Sequence, residues 1–301
     1  MFRLLAPFAL ASLALPAGAE VPRVVTDIPA VHSLVWQVME GVGEPVLLVS
    51  PGADAHSFQM RPSQAAALAE ADLVVWLGPE MTPWLERILG TEAPGSDLRL
   101  LDAPGATILG YGEGNGDAKA AGSGSSDAPG GRDPHAWLDP SNAALWIDAI
   151  AARLGRTDPD NAAVYARNAA AARVRIEALD LSLTDRLATV KGVPFAVYHD
   201  AYGYFVRRYG LTVVGSIAGG DAREPGAARL EELRGALVGA RCIFPEAGRN
   251  EQPAETVASD GAVTLGEPLD PEGSALTPGP DLYADLMTGL ADRLLACLGT
   301  P

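Results

Sequence analysis

The sequence predicts an α/β protein of two lobes, each a mostly parallel sheet flanked by helices, joined by one long rigid helix. Three observations predict this. Short apolar runs alternate with helical periodicities along most of the 301 residues, and that alternation indicates parallel sheets covered on both faces. Near the middle, residues 158–191 read as helix throughout. Three of the four histidines, His56, His135 and His199, fall in loops after strand-like runs on both sides of that stretch.

The long helix opens at Asp158-Pro159, a capping side chain followed by a proline with no N–H to lose. Gly192 closes it, and neither Gly nor Pro interrupts the interval. Tyr165, Ala169, Ala172, Ile176, Leu179, Leu183 and Leu187 recur at three- and four-residue steps, one face of an α-helix. At about 1.5 Å per residue the stretch spans roughly 48 Å, longer than one small domain is wide. It reads as a strut between lobes. A surface helix of a single domain is the alternative.

Before the strut, strands are expected at Arg23 to Thr26, Pro45 to Val49, Asp72 to Leu77 and Leu98 to Leu101. Helices are expected at Ala30 to Glu40, Ser63 to Glu70 with Ser63 as cap, Glu80 to Leu89, and after Asp139-Pro140 to Arg156. His32 lies near the start of its helix and reads as a helix-surface or cap-region residue outside any site. Residues 112–132 are mainly Gly, Ser, Ala and Asp. They cannot bury enough surface to offset their ordering entropy, so they are expected to form a mobile loop. After the strut, strands are expected at Pro194 to Tyr198, Leu211 to Gly215, Arg241 to Phe244 and Ala262 to Leu265. Helices are expected at Asp200 to Tyr209, Gly226 to Val238, Gln252 to Ser259 and Asp281 to Cys297.

Met1-Phe2-Arg3, the apolar run Leu4 to Leu15 and Ala17-Gly18-Ala19 read as a secretory signal with its cleavage site. The run is too short to span a membrane. The expected division is a signal peptide over 1–19, an N-terminal lobe over 20–157, the helix over 158–191 and a C-terminal lobe over 192–301. Export from the cytoplasm follows. The net charge of −16 argues against nucleic acid as a partner, because binding it needs clustered Lys and Arg. Cys242 and Cys297 are the only cysteines. In an oxidising compartment an even pair reads first as a disulfide, here tying the last helix to a core strand. Two buried free thiols are the alternative.

His56, His135, His199 and Asp270 share one context. Each lies in a loop beyond the carboxyl end of a strand, where loops of parallel α/β sheets converge on ligands. Three imidazoles and one carboxylate suit Zn²⁺ in tetrahedral geometry. Their intervals match no local zinc motif such as HExxH. Asp139 and Asp200 read as helix caps; a carboxylate behind a ligand histidine is the lesser of two readings of Glu246.

Several segments carry a resemblance. They are Val46-Leu47-Leu48-Val49 with Gly52-Ala53-Asp54-Ala55-His56-Ser57-Phe58, Arg61-Pro62-Ser63, and Ala71 to Met81. Further on come Asp133-Pro134-His135-Ala136-Trp137-Leu138-Asp139-Pro140, Tyr198-His199-Asp200-Ala201-Tyr202-Gly203-Tyr204-Phe205, and Leu269-Asp270-Pro271 with the Tyr283 helix. Together they resemble the zinc-binding receptors of bacterial ABC importers, the TroA-like, cluster A-I solute-binding proteins, in order and over nearly the whole chain. The resemblance implies two α/β lobes on one rigid helix, with His56, His135 and His199 as ligands in the cleft. Asp270 matches the aspartate that other members use, and Cys242 and Cys297 match a cysteine pair of the family. Zn²⁺ would be cargo, and the implied partners are a membrane permease and, as a second candidate, a periplasmic zinc chaperone. The receptor is expected to be a periplasmic monomer without enzymatic activity.

Two departures matter. Many zinc members carry a His-rich loop before the second histidine motif, and 112–132 has no histidine. Some members have a Glu just before the first ligand histidine, where this chain has Ala55. Competing readings are a manganese or iron receptor of the same family, or a zinc-dependent adhesin or metal store on the same scaffold. A zinc hydrolase would need an open coordination position and a general base, and no HExxH or dinuclear carboxylate cluster is present.

Overall fold

The structure is a computed structural model, and it describes residues 21–92, 97–113, 131–218, 231, 234–235, 237, 239–259 and 261–299. The expected signal peptide, nearly all of the expected loop and most of the expected Gly226 to Val238 helix lie outside these residues.

The first sheet contains β1 (Val24–Thr26), β2 (Val46–Leu47), β3 (Leu73–Trp76) and β4 (Asp97–Arg99), in the order β2-β1-β3-β4 with every pairing parallel. Parallel neighbours need crossovers, supplied by α1 (Pro29–Met39), α2 (Pro62–Ala69) and α3 (Pro83–Glu92). β3 reads Leu-Val-Val-Trp and is buried at all four positions, as a central strand covered on both faces must be. Asp27, just past β1, is also buried. Its two oxygens accept the Ile28 and Leu77 amides at 2.8 and 2.9 Å, which ties the ends of β1 and β3. Burial pushes its carboxyl up to about 6 against those lowering hydrogen bonds.

The second sheet contains β5 (Pro194–Val197), β6 (Thr212–Ser216), β7 (Cys242–Ile243) and β8 (Thr264–Leu265), in the order β6-β5-β7-β8, again all parallel. Its helices include α6 (Gly203–Tyr209), α7 (Gln252–Ala258) and α8 (Leu282–Leu298). Cys242 of β7 and Cys297 of α8 form a disulfide across a sequence separation of 55. Closing a loop of that length stabilises by about 4 kcal/mol in the chain-entropy model.

Between the sheets run α4 (Pro140–Thr157) and α5 (Ala162–Leu187). Single 3-10 turns at Pro159–Asn161 and Ala188–Val190 extend α5 at both ends. Asp158 caps the first turn by accepting from Asn161 N at 3.3 Å. α5 packs on α1 and α4 of the first half and on α6 and α8 of the second, so it belongs to both halves. Its buried face is the expected stripe with one change: Leu179 is partly exposed and Asp180 is buried. Asp180 is held by the Arg208 guanidinium, with Nε at 3.0 Å, and by the Tyr209 hydroxyl at 3.2 Å. A buried carboxylate persists because it is paired.

Three local expectations are corrected. His32 is not on the helix surface; it is 3% exposed, with Nε2 3.1 Å from the Pro45 carbonyl. Ser63 lies inside α2, and the start of that helix is held by Gln64 Oε1 accepting from Arg61 N at 2.7 Å. Asp200 does not cap α6, whose N-cap is Tyr202 without a side-chain bond. Asp139 does cap α4, accepting from Ser141 N at 2.9 Å. Among the described residues no helix is long and apolar enough to cross a membrane.

Candidate metal centre

The carboxyl ends of β2, β5, β7 and β8 deliver the loops that carry His56, His199, Glu246 and Asp270. The fifth approach, that of His135, is fixed beyond Gly110, which bridges to Arg132. Tyr204 of α6 ties it to the second half: its hydroxyl accepts from Leu109 N at 2.9 Å and donates to Asp133 O at 2.8 Å.

His135 is fully buried and His199 is 2% exposed. Their Nε2 atoms stand 3.4 Å apart. Each Nδ1 faces a carboxylate: Asp133 Oδ1 at 2.7 Å for His135, and Glu246 Oε2 for His199. A carboxylate on Nδ1 holds the proton there and turns the Nε2 lone pair outward. With both rings in that tautomer, two lone pairs face each other across 3.4 Å, an arrangement that a cation between them relieves. Two ligands on tetrahedral zinc with bonds near 2.0–2.1 Å are about 3.3–3.4 Å apart.

His56 approaches less closely. Its ring centroid is 6.3 Å from that of His135, while the His135 and His199 centroids are 5.3 Å apart. Among the described residues no group of three His, Cys, Asp or Glu side chains is already closed around one point. Asp270 is buried in the neighbouring loop. Its Oδ1 accepts from Ser274 N at 2.9 Å and Oγ at 3.2 Å, and its Oδ2 accepts from Ala275 N at 2.8 Å. A carboxylate has about four lone-pair directions, so one on Oδ2 remains. Trp137 joins this loop to the His135 motif by donating to Pro271 O at 2.8 Å.

Sequence reasoning missed several residues here. Asp54 and Asp133 each stand two positions before a histidine and accept its backbone N–H, at 2.9 and 3.0 Å. The shared Asp-x-His spacing was the signal that could have found them. Glu272 is 7% exposed. Burial and then Glu246 push its carboxyl up to about 7, against the lowering influence of His199 and His135. Arg249 lies with Asp54, Glu246, Asp270 and Glu272 around a small polar cavity. Burial works against its charge, but Glu246, Asp54 and Glu272 outweigh burial and hold its pKa above the ordinary value. No pattern in the sequence singled out Glu272 or Arg249.

Two parallel sheets, one long helix between them and a histidine pair backed by carboxylates define a two-lobed metal-binding protein of the solute-receptor class. Residues 24–297 match the family described as ZnuA, zinc-uptake complex component A, periplasmic, and the chain belongs to that family. It is 44% identical over 313 residues to the high-affinity zinc uptake system protein ZnuA of Paracoccus denitrificans, covering 97% of this chain and 96% of that one. To the protein of the same name from Brucella abortus it is 36% identical, covering 91% of each. The fold is similar to that of the solute-binding protein FpvC of Pseudomonas aeruginosa, solved in complex with Mn²⁺, with TM-score 0.80, 24% identity and coverage of 93% and 99%. It is also similar to a crystal structure of ZnuA, with TM-score 0.76, 24% identity and coverage of 93% and 100%.

Proposed function

We propose that this chain is the high-affinity zinc receptor of the periplasm and delivers Zn²⁺ to the permease of an ABC importer. His56, His135, His199 and Asp270 are its ligands, and the lobes they join are 20–157 and 192–301, linked by 158–191. The observation that carries the reading is the pair of Nε2 atoms 3.4 Å apart, each backed through Nδ1 by a carboxylate. Imidazole suits zinc, whereas the harder manganese ion favours oxygen-rich sites. The family is one of receptors, not enzymes, and the chemistry required here is capture and release.

Metal analysis of protein isolated from the periplasm, followed by competition titration, tests this. Zn²⁺ is expected at 1:1 and far tighter than Mn²⁺. His135→Ala and His199→Ala are expected to weaken zinc severely. Asp270→Ala should cost less, because water can fill a fourth position, and His32→Ala should leave zinc affinity unchanged. Wild-type zinc binding by His199→Ala, or displacement of Zn²⁺ by Mn²⁺ at comparable concentration, would refute both the site and the metal.

A further inference from the structure

We infer that Arg249 is an inter-lobe latch that positions His56 against the His135–His199 pair and thereby sets the rate of zinc release. The inference rests on the reading of the three histidines as zinc ligands.

Arg249 belongs to the loop after β7 in the second lobe. Its Nη1 is 3.3 Å from Asp54 Oδ2, in the loop after β2 of the first lobe, and its Nε is 3.4 Å from Glu246 Oε1. Both carboxylates have a second task. The other oxygen of Asp54 accepts the His56 backbone N–H at 2.9 Å. The other oxygen of Glu246 holds His199 Nδ1. One guanidinium thus clamps the two carboxylates that orient histidines on opposite sides of the cleft. Arg is suited to this because its planar fork fixes the directions of its donors, whereas Lys is a point charge on a flexible stem.

The geometry leaves room for these contacts to tighten. Charge-assisted N–H···O bonds settle near about 2.7–2.9 Å, so both contacts can shorten by about half an ångström. The His56–His135 centroid distance exceeds the His135–His199 distance by 6.3 − 5.3 = 1.0 Å. Drawing Asp54 toward Arg249 draws on the turn that carries His56. A backbone bond from Gly52 N to Ser274 O at 2.9 Å joins the Asp54 loop to the loop after β8, so the latch acts beside a second contact between the lobes.

The test is stopped-flow transfer of Zn²⁺ from the loaded full chain to excess chelator. Arg249→Gln is expected to release zinc at least tenfold faster while still binding 1:1. Arg249→Lys should recover part of the loss. Adding Asp54→Asn to Arg249→Gln should add little, because both remove the same link. Release at the wild-type rate by folded Arg249→Gln, or full additivity with Asp54→Asn, would overturn the latch. If Arg249→Gln does not fold, Asp54→Asn and Arg249→Lys carry the same comparison. His199→Ala runs alongside: wild-type binding there would overturn the site itself, whereas wild-type release confined to the Arg249 variants overturns only the latch.

Discussion

Asp133 Oδ1 accepts two hydrogen bonds from His135, one from its backbone N–H at 3.0 Å and one from its ring Nδ1 at 2.7 Å. A single oxygen therefore sets both where the histidine sits and which ring nitrogen carries its proton. Partners of this kind are worth about 10–100-fold in metal affinity. Asp133→Ala is expected to weaken zinc within that range and to leave a 1:1 site. A competition titration checks it, and unchanged affinity would show that Asp133 does not orient His135.

Zinc binding should be lost in acid with more than one proton taken up per ion released. The ligand imidazoles must be neutral to coordinate, and the unperturbed histidine value is about 6.5. Affinity measured from pH 8 to pH 5 is expected to fall as pH drops through that value. A slope of log affinity against pH below one would mean that a single histidine titrates with the metal.

Asp27 predicts a stability slope in the opposite sense. Its carboxyl stands at about 6 in the folded chain against 3.8 for the ordinary group, so between these values the folded state holds the extra proton. Stability from this residue is then greatest below about pH 4 and declines as pH rises to about 6, by an amount on the order of 3 kcal/mol. Urea unfolding of wild type and Asp27→Asn across pH 4 to 7 measures it. A wild-type slope unchanged by the substitution would show that other groups carry it.

The disulfide between Cys242 and Cys297 should appear as a mass two hydrogens below the reduced chain, with no thiol titratable after unfolding without reductant. Cys297→Ala is expected to cost about 2–5 kcal/mol and to leave zinc binding in place, since neither cysteine belongs to the proposed ligand set. Two free thiols in unfolded, unreduced protein would contradict the bond.

The same comparison for the core uses Leu183, which is fully buried on α5. Leu183→Ala should lower stability by about 2–5 kcal/mol with zinc affinity nearly unchanged in the folded fraction. A selective loss of zinc binding would show that the helix transmits strain to the site.

By itself the sequence determined what depends on local pattern. The period of the apolar residues specified α5 and its buried face, and uninterrupted apolar runs such as Leu73 to Trp76 specified strands covered on both sides. Strand-end placement and the family resemblance marked His56, His135, His199 and Asp270, and the even count of cysteines marked the Cys242–Cys297 pair. Tertiary structure alone decided what depends on residues distant in the chain. Ser63 and Asp200 had the chemistry of caps, yet Gln64 holds the one helix start and no side chain holds the other. Asp180 is buried because Arg208 and Tyr209 from α6 reach it. Glu272 and Arg249 carry no local signature, since a charged residue in a loop looks solvated until the fold closes around it. Their surroundings come from loops almost two hundred residues apart, as in the Asp54–Arg249 pair, and only the packing of two sheets across one helix brings those loops together.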